Sequence, residues 1–224
     1  MVKITSHVSR DVRFPVSHCF RHAIQTATNI SQTSLDKTGS DAMNEAGDYS
    51  SAYCILHTDS QLSGHGMTFT IGRGNEIVCA AIDAVAARII GKSLKELTAD
   101  MGKTWRHLVA DSQLRWIGPE KGVIHLALGA VVNALWDLWA KSVGKPVWRL
   151  VADFTPEEFV RCIDFRYITD AITPGEAVGM LEAMQAGKEE RVKDALENRA
   201  VPAYTTSAGT YIPPAPCLPA NNYA

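Results

Sequence analysis

A chain of 224 residues with 46% hydrophobic and 21% charged residues has an ordinary globular composition and enough length to bury a core, in one or two domains. A formal net charge of −2 leaves no basic excess to meet phosphate, which argues against nucleic acid or an anionic membrane surface as partner. Five cysteines, odd in number and without a Cys-x-x-Cys pair, and an N-terminal stretch without an apolar run predict reduced thiols and a cytoplasmic location.

Lys3 to Phe14 has strand character, and Pro15 stops it. Residues 16–48 are polar and turn-rich and predict a loop. Tyr49 to Thr58 (YSSAYCILHT) predicts a strand, and Gly66 to Ile71 (GMTFTI) predicts its partner across DSQLSGH. With the first segment these form a three-stranded antiparallel meander. After the turn GRGN, Ile77, Val78, Ala81, Ile82, Val85 and Ile89 recur at helical spacing until Gly91. Ser93 opens a further amphipathic segment, LKELTADMGKTWRHLV.

Ser112 to Val151 holds four of the five tryptophans and predicts one long helix followed by a short one. Of the 18 positions from Val123 to Ala140, 14 are apolar; the exceptions are His125, Gly129, Asn133 and Asp137. They recur every fourth residue and Lys141 continues them, so they form one narrow ridge on a helix otherwise fit for burial. The run is long enough for a membrane span, but the ridge and the preceding Glu120 and Lys121 favour a core helix. Beyond Val151, Phe159 to Tyr167 predicts a strand behind Thr155-Pro156-Glu157-Glu158, and Thr173-Pro174-Gly175-Glu176 starts a helix reaching about Asn198. Val201 to Ser207 predicts one more strand, and the tail from Thr210, with four prolines in 15 residues, predicts coil.

No motif declares a reaction by itself. Gly64-x-Gly66 and Gly72-Arg73-Gly74 lie at the ends of antiparallel strands and read as hairpin glycines rather than a phosphate loop. His18, Cys19 and His22 have a metal-like spacing without a second ligand pair. His125 reads as a hydrogen-bonded core residue, and Asp137 as a buried carboxylate that ties its helix to a neighbouring backbone. No Ser-His-Asp order, nucleophile elbow or His-Glu-x-x-His is present.

Longer blocks are more specific. RDVRFP, TSLDKTGSDAMNEAGDYSSAY, QLRWIGPEKGVIHLALGAVVNALWDLWAKSVGKPVW, CIDFRYITDAITP and VPAYTTSAG closely resemble the acid-sugar dehydratases of the enolase superfamily, the L-galactonate and L-fuconate dehydratases in particular. The resemblance spans residues 3–15 and 33–209 and implies an α+β fold. In such a fold a capping domain, made of a three-stranded antiparallel meander and a helical bundle, sits over a (β/α) barrel. The implied reaction removes the proton beside a carboxylate and expels the β-hydroxyl, giving a 2-keto-3-deoxy acid. The enediolate requires strong charge stabilisation, which a carboxylate-held Mg²⁺ supplies while a lysine or histidine acts as base. The implied partner is a small acid sugar, and the family makes a homo-oligomer plausible. The capping loop of the family matches Gly39, Ser40 and Asp41, and a following tyrosine matches Tyr49. These positions imply hydrogen bonds to the polyol hydroxyls, which position substrate and exclude water without transferring protons.

Three departures qualify the resemblance. The Lys-x-Lys pair that carries the family's base does not occur in the chain, and 23 residues from Pro202 onward hold at most the first barrel strand. No catalytic residue or metal ligand is therefore expected here, and the chain by itself is expected to be inactive and poorly soluble. Val16 to Gln32 interrupts the family pattern by 17 codons, or 51 nucleotides, and reads as an unspliced intron; the tail from Thr210 reads similarly. The expected organisation is a capping domain over 1–151 with the insert at 16–32, a connecting strand, helix and barrel start over 152–209, and a coil tail over 210–224. The alternatives are a non-catalytic binding or assembly module and a truncated product without function.

Overall fold

A computed structural model describes residues 2–14, 49–118 and 121–198. The chain begins with three strands, β1 (Ile4–Phe14), β2 (Tyr49–Thr58) and β3 (Ser63–Thr70), paired antiparallel in the order β1-β2-β3. This is the predicted meander, with β3 beginning three residues earlier than the apolar pattern indicated. On β2, Ala52, Cys54 and Leu56 are wholly buried while Tyr53, Ile55 and His57 are not, the period-2 alternation of a strand with one core face.

Helix α1 (Asn75–Ala86) follows the GRGN turn, where Gly72 and Gly74 take φ of 91° and 93°. Such left-handed angles suit glycine because a Cβ would crowd the backbone. Val78, Ala81, Ile82 and Val85 face inward, and a 3₁₀ turn at Ala87–Ile89 adds Ile89. Gly91, at φ 84°, reverses the chain so that its N–H bonds to Ile4 O at 2.8 Å, and Ile4 N–H bonds to Lys92 O at 3.0 Å.

The single amphipathic segment expected after Ser93 is two helices, α2 (Leu94–Thr98) and α3 (Met101–Val109). Ser93 caps the first by accepting from Glu96 N. Asp100, with extended backbone, caps the second by accepting from Lys103 N at 2.7 Å. A strong N-cap inside a helical pattern starts a new helix rather than continuing the old one.

Helix α4 (Gly122–Ser142) is the predicted long helix and the centre of the core. It is long and apolar enough to cross a membrane, with a mean hydropathy of 1.5, but here half of that window is buried inside the protein. Ala127, Ala130, Ala134 and Leu138 face inward, and Gly64 and Gly66 let β3 lie directly against the helix. A Cβ on Gly64 would sit 2.2 Å from Ala134 O, and one on Gly66 would sit 2.1 Å from Ala130 O. These are close-approach glycines inside a strand, which corrects their reading as hairpin glycines.

The polar ridge of α4 meets solvent and the edge of β3. Asp137 is half-buried, and its Oδ2 accepts from His65 N–H at 2.8 Å. Lys141 Nζ donates to Asp137 at 2.6 Å and to Ser63 O at 3.1 Å. The two side chains satisfy backbone groups on β3 that face away from β2, so this edge is blunted by a helix instead of a fourth strand. Asp137 therefore ties its helix to a neighbouring backbone as expected. His125 is not a core residue: it is exposed and stands edge-on to Trp105 at 5.7 Å.

Helices α5 (Val147–Ala152) and α6 (Pro156–Val160) build a second cluster, in which Leu150 and Phe154 pack with Trp136 and Trp139. The indoles stack at 5.2 Å, and Phe154 lies 5.1 Å from Trp139. The strand expected over Phe159–Tyr167 does not form. Thr155 and Glu158 make a reciprocal capping box behind Pro156, which commits the segment to α6, and a 3₁₀ turn occupies Phe165–Tyr167. A second capping box, Thr173 with Glu176, starts α7 (Pro174–Ala183). The helix expected to reach Asn198 breaks before Gly187, at φ 69°, and resumes as α8 (Lys188–Glu197). The predicted strand Val201–Ser207, the insert, the tail and His18, Cys19 and His22 lie outside the described residues.

Candidate functional site

Of the positions matched to substrate recognition, Gly39, Ser40 and Asp41 lie outside the described residues, and Tyr49 is the first residue of β2. Tyr49 pairs across the sheet with Phe14, the last residue of β1. The chain thus leaves the sheet at Phe14 and re-enters it at Tyr49, the two members of one cross-strand pair. Tyr49 is half-buried, with its ring 5.7 Å from that of Phe69 on β3.

Directly behind Tyr49 lies a polar network that sequence reasoning did not single out. Asn75, wholly buried at the start of α1, donates from Nδ2 to Asp11 Oδ1 at 2.5 Å and to Ser51 O at 3.1 Å. Its Oδ1 accepts from Thr70 Oγ1 at 2.6 Å. The Ser50 and Thr70 hydroxyls are hydrogen-bonded at 2.6 Å, and Ser50 Oγ accepts from Gly72 N–H at 2.8 Å. Arg13 donates twice to Asp11, once to Glu76 at 2.6 Å and once to Gly72 O at 2.9 Å. Three strands, the turn and α1 are locked together at this end of the sheet. Among the described residues no buried side-chain polar atom lacks a partner, so the network is fully satisfied. The block RDVRFP and the asparagine ending GRGN carried the signal, but only the fold shows that they meet.

The electrostatics suit a rigid support rather than proton transfer. The Arg13 hydrogen bond, helped by Asn75, holds the Asp11 carboxyl below the usual range against an opposing effect of burial. The first-turn amide of α1 and then Arg13 hold Glu76 down similarly. A general base working near neutral pH is tuned the other way. Among the described residues no three His, Cys, Asp or Glu side chains converge as metal ligands.

Beside Tyr49 the sheet and helices leave an open groove of about 490 Å³, lined by Phe69, Ile71, Ile77 and Leu126 with Arg73 at its rim. The four apolar side chains are exposed.

Comparison with known proteins places this arrangement. The sequence model for the mandelate racemase/muconate lactonizing enzyme N-terminal domain matches residues 41–152. The L-galactonate dehydratase of Hypocrea jecorina is 72% identical over 208 residues, 93% of this chain and 42% of that protein. Human mitochondrial enolase superfamily member 1 is 48% identical over 200 residues, covering 88% of this chain and 41% of the relative. The crystal structure of that human protein superposes with a TM-score of 0.76 at 46% identity, covering 87% of this chain and 41% of that one. The chain thus spans about two-fifths of the length of the relatives it matches. The meander and helical bundle are those of the N-terminal domain, and the chain belongs to the mandelate racemase/muconate lactonizing enzyme family of the enolase superfamily.

Proposed function

We propose that these residues form the substrate-capping part of a Mg²⁺-dependent sugar-acid dehydratase that acts on L-galactonate. The observation that carries this reading is the 72% identity with an L-galactonate dehydratase across 93% of the chain. The Phe14–Tyr49 pair supports it, because the described chain ends bordering Gly39, Ser40 and Asp41 are held together in the sheet, and a specificity element needs a stiff base. In this reading the loop amides, Ser40 and Asp41 hydrogen-bond the polyol hydroxyls, Tyr49 presents its hydroxyl at the same mouth, and the group positions substrate and excludes water. Base and metal ligands lie outside the described residues. A cytoplasmic location suits the free thiols of Cys54, Cys79 and Cys162.

A chimera tests this reading. Residues 33–198 of this chain would replace the matching part of the Hypocrea jecorina enzyme, and Mg²⁺-dependent formation of keto acid from L-galactonate would be followed. Retained turnover, with KM raised about tenfold or more by Ser40→Ala or Asp41→Ala through lost hydrogen bonds, is the expected result. A folded chimera without turnover of L-galactonate would remove the reading. The 224-residue chain alone is expected to give no keto acid with L-galactonate and Mg²⁺.

A further inference from the structure

A second concavity lies toward the other end of α4, where α2 and the start of α3 meet Trp139 and the turn after α6. Its volume is about 220 Å³, below the size of a drug-like pocket, so it suits a small occupant. Trp139, half-buried, and Met101, buried, give it an apolar wall, and Lys95 and Arg161 bring two exposed cations to it.

The local carboxylates are already engaged. Glu158, also on the wall, accepts from Thr155 N–H at 2.9 Å in its capping box, and Asp100 accepts from Lys103 N–H at 2.7 Å. Glu157, one turn before Arg161, interacts with it through space without an ion pair among the described residues. Neither Lys95 nor Arg161 forms a side-chain ion pair or hydrogen bond among the described residues. Their charges are therefore available to an incoming group.

The wall is also stiff. Gly102 N–H bonds to Arg161 O at 2.8 Å, and a Cβ on Gly102 would lie 2.9 Å from the same carbonyl, so the turn carrying Arg161 and Cys162 is pressed against α3. On the other side the Trp139 indole packs in one three-ring cluster with Trp136 and Phe154. A preformed site binds without first ordering its own walls. Burial pushes the Cys162 thiol up to about 11, so it is a neutral wall and not a nucleophile at physiological pH.

We propose that this cleft binds a small organic anion, a carboxylate or phosphate ester with an apolar body, whose charge is held by Lys95 and Arg161 and whose body lies against Trp139 and Met101. The site is distinct from the end of the sheet at Tyr49, and its test does not depend on dehydratase activity.

The test is calorimetric titration of the full chain with phenyl phosphate, and with inorganic phosphate as a probe lacking the apolar body. Saturable one-to-one binding of phenyl phosphate, tighter than that of inorganic phosphate, is the expected result. Lys95→Ala with Arg161→Ala removes two charge-assisted contacts from exposed positions and should weaken binding about tenfold or more. Ala99→Leu, which fills the cleft with both charges in place, should produce a similar loss. Circular dichroism confirms that each variant is folded, and Ala99→Leu decides the matter should the double variant misfold. Absence of binding to the unaltered chain, or binding unchanged in the variants, would overturn the proposal.

Discussion

Asn75 is one side chain of middling size, yet it joins β1, β2, β3 and α1 through three hydrogen bonds. Asn75→Ala strands the buried Ser51 carbonyl and leaves the Thr70 hydroxyl without its acceptor, and unmet buried groups cost about 1–3 kcal/mol each. We expect a loss of about 2–3 kcal/mol, a large share of a domain's stability, read as a fall in the urea midpoint without a change of slope. A midpoint unchanged within error would show that water replaces the amide there. The pH dependence of the same cluster has a definite sign. Asp11 and Glu76 are both held below their ordinary values, so the folded state releases their protons more readily than the unfolded one. Their contribution is complete above the unfolded carboxylate range, about 4, and is lost as pH falls from there through the folded values. Arg13→Met removes a partner of both, so its deficit relative to the parent should be greatest at neutral pH and shrink below about pH 4. Equal deficits at pH 7 and pH 3 would show that Arg13 acts by packing alone.

At the scale of the element, two glycines give opposite expectations. Gly66→Ala puts a methyl 2.1 Å from the Ala130 carbonyl, and because that obstacle is backbone the helix must lift from the sheet. Overpacking of this kind costs about 1–3 kcal/mol, and the rigid obstacle puts Gly66 at the upper end. Gly129, within α4, has nothing within 4 Å of an added Cβ, so Gly129→Ala should stabilise by up to about 1 kcal/mol through helix propensity. Thermal melts of the pair check both signs, and destabilisation by both would contradict the helix–sheet contact described. These glycines also show what the sequence could convey. β2 was legible to its end residues because its alternation is local, and α4 because its apolar stripe spans five turns. The role of Gly64 and Gly66 was not legible, since the helix that presses on them arrives some 70 residues later. Phe159–Tyr167 misled for the converse reason: a brief alternation resembled a strand while Thr155 and Glu158 had already set a helix. At the candidate site, RDVRFP carries a family resemblance, but no local pattern says that Asp11 and Asn75, 64 positions apart, touch. His125 departs from the core reading because a polar position on an apolar helix can belong to a solvent ridge as readily as to the core.

For the whole molecule, the decisive feature is the apolar surface beside Tyr49. Phe69 and Ile77 are each 58% exposed and Ile71 is 53% exposed, and they share one groove with Leu126. Scattered apolar side chains on a surface need no explanation, but a contiguous group around a concavity marks a contact surface or a liability. The groove adjoins Tyr49 through the Tyr49–Phe69 ring contact, so whatever covers it also approaches the end of the sheet where Phe14 and Tyr49 pair. Left uncovered, it should bind a hydrophobic dye and drive self-association that grows with protein concentration, the poor solubility expected from the sequence. Ile71→Lys and Ile77→Lys should reduce dye fluorescence and shift sedimentation toward the monomer. Each removes a side chain that is already half in water, so the melting curve should move by less than about 1 kcal/mol equivalent. The Asn75 and Gly66 variants should do the reverse, lowering stability without relieving association until unfolding begins. A parent chain that is monomeric at all concentrations, melts in one sharp transition and leaves the dye dark would show that the groove is closed in solution.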